Sequence, residues 1–425
     1  PTANFRGDTA RNIHRRCLQL RAYRSVPRRH IRRTYGHGFR YTSGLCRSGS
    51  GLLWRKWARL AGSLCAKRGF ARTLCRGDGA GIDRAQRWGS ATRADPTYGL
   101  RAASAGVGTS GSSIGAGIRE NNFLGRGISL ISNLTLSEDS VKGIFSVINP
   151  NFRNTDKSIY TTIEALENDK LSDFGYKTNR TGLAFGTNFE YYDDVRFGLG
   201  TSNYFEKIET DSSASSRMKK QEGNYFDSFL KIDFDYDKRN QKFQTSDGFR
   251  SYYSLDLPLV SDTNTLKNTY SYKYFTELYD NNVTSASIYL SAVNSISGDD
   301  VKLSERLYIP SRRLRGFQSG RVGPKDSNDY IGGNYTSVLN LTSTLPQILE
   351  NNQTTDFAVF LDVANIWGVD YDSSIDDQNK IRSAVGFGVD WFTPIGPLNF
   401  SLAAPISKSS TDETETFRFN LGTTF

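Results

Sequence analysis

"FLKIDFDY", residues 229–236, places Leu230, Ile232, Phe234 and Tyr236 on one side of an extended chain and Lys231, Asp233 and Asp235 on the other. Successive side chains of a strand point to opposite faces, so this segment has one apolar and one charged side. "IRSAVGFGVDW", residues 381–391, repeats the pattern. Ile381, Val385, Phe387, Val389 and Trp391 stand opposite Arg382, Gly386, Gly388 and Asp390. A soluble β-sandwich and a barrel facing lipid both alternate in this way, so strand length and number must decide between them.

Candidate strands lie near 102–109, 112–120, 127–138, 141–150, 157–168, 177–191, 194–207, 222–236, 247–260, 267–280, 282–295, 333–345, 355–366, 381–393, 396–405 and 415–425. Most reach the roughly 9 to 11 residues with which a tilted strand crosses a bilayer, whereas soluble strands commonly have about 5 to 6. No apolar run approaches the roughly 20 residues of a membrane helix. Short turns at one end alternate with longer polar loops at the other, and Tyr, Trp or Phe close many of the apolar faces in the manner of an aromatic girdle. The predicted fold is therefore all-β, a sixteen-strand antiparallel transmembrane β-barrel over residues 102–425. Its last strand, "FRFNLGTTF" (417–425), sets Phe417, Phe419, Leu421 and Phe425 opposite Arg418, Asn420 and Gly422. It reads both as a closing strand with an interfacial anchor and as a C-terminal assembly signal.

The net charge of +10 does not describe this barrel. Residues 1–100 hold 20 Arg and 2 Lys against 4 Asp and no Glu, which leaves +18 there and −8 in the remainder. No nucleic-acid partner is expected of an acidic barrel. The irregular basic segment, residues 1–101, keeps no period of 2 or 3.6 beyond a few residues around Leu52 to Leu60, and is not expected to bury a core. Cys17, Cys46, Cys65 and Cys75 form no CxxC pair, and His14, His30 and His37 do not complete a finger-like set, so no zinc site is read. We read this segment as translation in a wrong frame joined to genuine coding sequence near residue 100, in preference to a basic arm for nucleic acid or anionic lipid. Starting at Pro1, without Met or a signal peptide, the chain is expected to lack its true N-terminus.

The barrel contains no histidine, and "SAGVGTSGSS" (104–113) does not match a phosphate loop opening a helix. No enzyme activity, catalytic residue, cofactor or metal is predicted. The unexplained feature is "SRRLRGFQSG" (311–320), which sits within residues 296–332, a connection without strand or helix period. Irregular connections longer than roughly 12 to 15 residues are usually functional or disordered.

Five stretches, taken in chain order, resemble motifs of the BamA family of outer-membrane protein insertases. "ENNFLGRG" (120–127) resembles the turn after the second strand, and "YDKRNQKFQTSDGF" (236–249) a D-x-R-N connection, with Gln244 near where the family's proline is expected. "LRGF" (314–317) resembles the VRGF tip of the sixth extracellular loop. "FLDVA" (360–364) resembles an F-x-D-x-G strand motif with Ala364 in place of glycine, and "FTPIGPLNFSLAAPI" (392–406) the hairpin before the final strand. That family joins its barrel to POTRA domains of βααββ order, a pattern residues 1–100 do not show.

The resemblance implies a Gram-negative outer membrane, unfolded outer-membrane proteins as clients, and assembly lipoproteins and membrane lipids as partners, without cofactor or nucleotide. It implies a lateral seam in which Ala105, Gly106, Val107 and Gly108 meet Phe419, Leu421, Gly422 and Phe425, and which opens so that the first strand can template a client by β-augmentation. Glycine packs nothing and costs entropy in a strand, so this seam is expected to be weak. The resemblance also implies that the long loop enters the lumen. An arginine shielded from water needs a partner there. Alternation in "DFAVFLDVANIW" (356–367) turns Phe357, Val359, Leu361 and Val363 to lipid and Phe360 and Asp362 to the lumen. The expected loop lock is an ion pair of Arg315 with Asp362, flanked by Gly316, Phe317 and Phe360, because a planar guanidinium binds a carboxylate bidentately. Arg312, Arg313 and Arg321 are expected to be solvated. The alternative function is a two-partner-secretion transporter that exports a polypeptide through its pore; the loop and hairpin motifs disfavour a passive porin.

Overall fold

The alternating segments become strands whose apolar sides face outward. The computed structural model describes residues 100–425 except 110, 243, 280–281, 346–353, 372–373, 394–395 and 425. The expectations for the basic segment, and for Phe425, lie outside the described residues.

The first eight strands are β1 (Leu100–Gly108), β2 (Gly111–Phe123), β3 (Ile128–Ser137), β4 (Ser140–Asn149), β5 (Ser158–Lys170), β6 (Tyr176–Tyr192), β7 (Val195–Thr210) and β8 (Gly223–Asp237). They are followed by β9 (Gly248–Ser261), β10 (Thr265–Tyr279), β11 (Asn282–Ser295), β12 (Lys325–Asp326) and β13 (Asp329–Tyr330). The last five are β14 (Tyr335–Thr344), β15 (Thr355–Trp367), β16 (Arg382–Thr393), β17 (Gly396–Ser407) and β18 (Phe417–Thr424). Each barrel strand pairs antiparallel with its neighbours, β11 pairs with β14 across the long loop, and β18 returns to β1. The sheet thus closes as a sixteen-strand barrel, which removes its edges.

The loop read as wholly aperiodic contains one ribbon, formed by β12 and β13. Strands of 2 residues are too short to show an alternation. The helices α1 (Leu171–Phe174) and α2 (Ser216–Lys219) are single turns. No helix among the described residues is long and apolar enough to cross a membrane.

At β8 the two faces behave as the alternation requires. Outward, Phe234 packs edge-on to Phe197 at 5.0 Å, and Phe197 to Phe189 at 5.3 Å, giving an aromatic ladder across three strands. Inward, the Tyr252 hydroxyl donates to Asp233 at 2.8 Å, and Arg250 donates to Asp235 at 2.7 and 3.0 Å. Ile114, Ile118, Leu183, Phe185, Val385 and Leu402 stand exposed around the wall. An exposed apolar belt over a polar interior is the arrangement that lipid selects and water opposes.

Because the outer face meets lipid, the buried apolar core lies inside the barrel, between the long loop and the wall. Ile309, Leu314, Phe317 and Val322 of the loop pack with Val338, Ala364, Ile366 and Ala384 of β14, β15 and β16. Nearer the loop end, Leu303, Tyr330 and Ile331 join Phe174, Tyr176, Met218 and Ile375.

The wall is uneven in height. β6 and β7 have 17 and 16 residues, whereas β1 and β18 have 9 and 8. At the turn after β8, Gln244 takes φ +50°, an angle closed to proline, which is fixed near −65°.

Candidate functional site

Register places the loop-binding surface. β14 aligns Asn340 with Asp362 and Thr342 with Phe360, and β16 aligns Gly386 with Phe360 and Ala384 with Asp362. All of these share the lumenal face. Ala384 and, on β17, Ala403 leave a trough that the loop tip fills at Gly316, while the Phe360 ring covers Gly386.

Arg315 donates through Nε and Nη2 to the two carboxylate oxygens of Asp362, each at 2.7 Å, and through its backbone N–H at 3.0 Å. Asn340 Nδ2 supplies a further donor at 2.8 Å and also reaches the Arg313 carbonyl at 2.8 Å. Asp362 is completely buried. An isolated ionised carboxylate there would cost several kcal/mol, and these four donors offset that cost. The guanidinium lies 3.5 Å from the centroid of the Phe360 ring and donates from Nη2 to Thr342 Oγ1 at 3.2 Å. Phe360 in turn lies across Gly386, where any Cβ would collide with the ring and with the Leu402 carbonyl.

Gly316 has φ +90°, a region that L side chains rarely adopt, and a Cβ there would meet Ala384 at 3.1 Å and Ala403 at 3.2 Å. Phe317 is 1% exposed. The structure therefore brings together all five residues expected at the loop: Arg315, Gly316, Phe317, Phe360 and Asp362.

The expectation for the neighbouring arginines is corrected. Arg312 is exposed, but Arg313 lies over the Tyr289 ring and Arg321 pairs with Glu413 at 2.8 Å. Both are held by partners on the wall and in the loop before β18, which no local pattern relates to residues 311–321.

Sequence reasoning also missed a buried charge group at the root of the same loop. Lys302, 1% exposed, reaches Glu206 at 3.2 Å, Glu305 at 3.5 Å and Asp227, with Glu206 on β7 and Asp227 on β8. Desolvation pulls the Lys302 pKa down, but Glu305, Glu206 and Asp227 outweigh it and raise it above the usual value. Burial raises the Glu305 carboxyl, with Lys302 opposing, and Tyr204 donates to it at 3.0 Å. The one available signal was parity: Asp227 shares the lumenal face of β8 with Lys231, Asp233 and Asp235.

At the seam, β1 and β18 pair from Ser104↔Thr424 to Gly108↔Asn420, which aligns Ala105 with Thr423, Gly106 with Gly422 and Val107 with Leu421. Phe419 has no β1 residue opposite it in the ladder, and its carbonyl accepts from the Thr109 N–H at 3.1 Å. The ladder is short beside that of β6 and β7, which runs from Tyr176↔Thr210 to Tyr192↔Val195. A Cβ on Gly108 would collide with the Asn420 side chain and the Phe419 carbonyl.

A family model described as the Omp85 superfamily domain matches residues 122–425. The outer membrane protein assembly factor BamA of Nitratidesulfovibrio vulgaris is 25% identical over 318 residues, which cover 72% of this chain and 39% of that protein. The same factor from Neorickettsia risticii is 24% identical over 256 residues, covering 59% and 34%. The chain thus spans between 34% and 39% of the length of these curated relatives. Among solved structures, BamA from Haemophilus ducreyi lacking POTRA domains 1–3 superposes with a TM-score of 0.71 at 25% identity, over 77% of this chain and 70% of that one. CdiB from Escherichia coli, at 11% identity and a TM-score of 0.51 over 76% and 63%, shares the fold alone.

Proposed function

This chain belongs to the Omp85 superfamily, and on that footing we propose that it is an insertase of the BamA type, which folds β-barrel proteins into the outer membrane through the seam between β1 and β18. It is a Gram-negative outer-membrane protein, and the BamA-like group is not a conventional enzyme family. Its clients are unfolded outer-membrane proteins, and assembly lipoproteins and outer-membrane lipids are its partners.

The observation that carries this reading is the contrast between the lumen and the seam. The loop from β11 to β14 occupies the lumen and is pinned by Arg315 to a buried carboxylate. Among the described residues, the wall between β1 and β18 is held by the ladder from Ser104 to Gly108 and by the bond from the Thr109 N–H to the Phe419 carbonyl. Movement along the axis must displace the packed loop, whereas lateral opening breaks a few backbone bonds and exposes a glycine-rich edge ready to pair. In this scheme Arg315, Gly316, Phe317, Phe360 and Asp362 lock the loop. Ala105, Gly106, Val107 and Gly108 with Phe419, Leu421, Gly422 and Phe425 form the gate.

Reconstitution of the full-length protein in liposomes with a urea-unfolded barrel client tests this. An insertase accelerates the client's conversion to a heat-modifiable, protease-resistant form in the bilayer. Delivery of unfolded polypeptide to the opposite compartment would instead support the two-partner-secretion reading, and no acceleration would overturn the insertase.

A further inference from the structure

The segment that leads into β18 is hydrogen-bonded along its backbone to the loop tip. Glu415 N–H donates to the Gly316 carbonyl at 3.0 Å, Gln318 N–H to the Glu413 carbonyl at 3.0 Å, and Glu413 N–H to the Arg321 carbonyl at 3.1 Å. Phe317 and Thr414 form an antiparallel bridge between them. This short ribbon has the tip on one side and the start of the seam strand on the other.

Asp412 clasps one end of it. Its buried carboxylate accepts from Arg382 of β16 at 2.9 and 3.2 Å, from the backbone N–H of Gly323 at 3.3 Å and from that of Ser409 at 2.6 Å. At the other end the Thr416 carbonyl accepts from the Ala403 N–H of β17 at 2.8 Å, and Phe417 begins β18 directly afterwards.

We propose that this ribbon couples the loop lock to the lateral seam, with Asp412 and the backbone of Glu415 as its positioning elements. The start of β18 has little hold on the β1 side: among the described residues the ladder begins at Asn420, preceded by a single bond from the Thr109 N–H to the Phe419 carbonyl. What fixes it is β17 on one side and, through residues 413–416, the loop tip. Gly316 follows the residue that binds Asp362, so a tip that leaves its trough by more than about 1 Å breaks the bond to Glu415 and frees the start of β18. Conversely, a seam strand that swings outward draws residues 413–416 away from the tip. Coupling of this kind is reciprocal: whatever closes the seam must hold the loop, and whatever frees the loop must favour opening.

The proposal rests on the reading that the seam opens, but its test does not measure insertion, so either can fail alone. The full-length protein, in a background without other cysteines, carries Val107→Cys and Leu421→Cys, which face each other across the seam. Hydrogen exchange of the backbone over residues 314–321 is compared with the pair oxidised and reduced, in vesicles. Oxidation is expected to slow exchange of the tip by about tenfold in this parent, and by less than about twofold once Glu415→Pro removes the donor to Gly316. Equal slowing in both backgrounds, or none in the parent, overturns the proposal. If the proline variant does not yield a heat-modifiable barrel, Asp412→Asn decides by the same ratio.

Discussion

Arg315 and Asp362, 47 residues apart in sequence, meet through two parallel N–H···O bonds of 2.7 Å each. The carboxylate is wholly buried and the guanidinium lies on the Phe360 ring. A bidentate pair of this geometry favours one loop position because its two parallel bonds fix the plane of the guanidinium against the carboxylate.

Removing one partner of a buried pair typically costs about 3–5 kcal/mol, because the remaining charge is left without compensation. Asp362→Ala is therefore expected to lower the urea midpoint of the barrel, followed by its gel mobility without heating. Asp362→Arg sets two guanidinium groups together and is expected to abolish assembly. Adding Arg315→Asp should restore part of the folded fraction, and equal loss in the single and double variants would argue against direct pairing.

Gly316 is required for both its backbone angle and its lack of a side chain. Gly316→Ala is expected to destabilise the barrel by about 1–3 kcal/mol. Ala403→Gly should not rescue it fully, because it relieves contact at 3.2 Å but leaves the φ of +90°. Full rescue would show that the backbone angle carries no cost.

Much of this was legible in residue order alone. Alternation located all sixteen barrel strands, and parity placed Asp362 in the lumen, because side-chain direction in a strand is set locally. The partners of Arg313, Arg321 and Lys302 were not legible. Tyr289, Glu413, Glu206 and Asp227 lie on distant strands or loops, and only the closure of the barrel and the path of the loop bring them near. The β12–β13 ribbon escaped notice for a related reason: it is held by tertiary packing of Tyr330 and Ile331, not by a pattern of its own.

Glu305 gives the protein a pH dependence of defined sign. Its folded pKa is raised by burial above the unfolded carboxylate value, so the folded state binds the proton more tightly. Stability from this group is fully present below the unfolded pKa and is lost as pH rises through the folded one. Glu305→Gln is therefore expected to lose stability relative to the parent as pH falls from neutral into the ordinary carboxylate range. Urea midpoints of both proteins at several pH values check this, and a variant that gains on the parent toward acid would contradict it.

The central claim is that clients enter the membrane through the wall between β1 and β18. The most direct measurement is client insertion by the full-length protein carrying Val107→Cys and Leu421→Cys, in a background without other cysteines, before and after reduction. The account predicts that the oxidised protein, its seam covalently shut, loses insertion, and that reductant restores it. Undiminished insertion with the disulfide intact would contradict it.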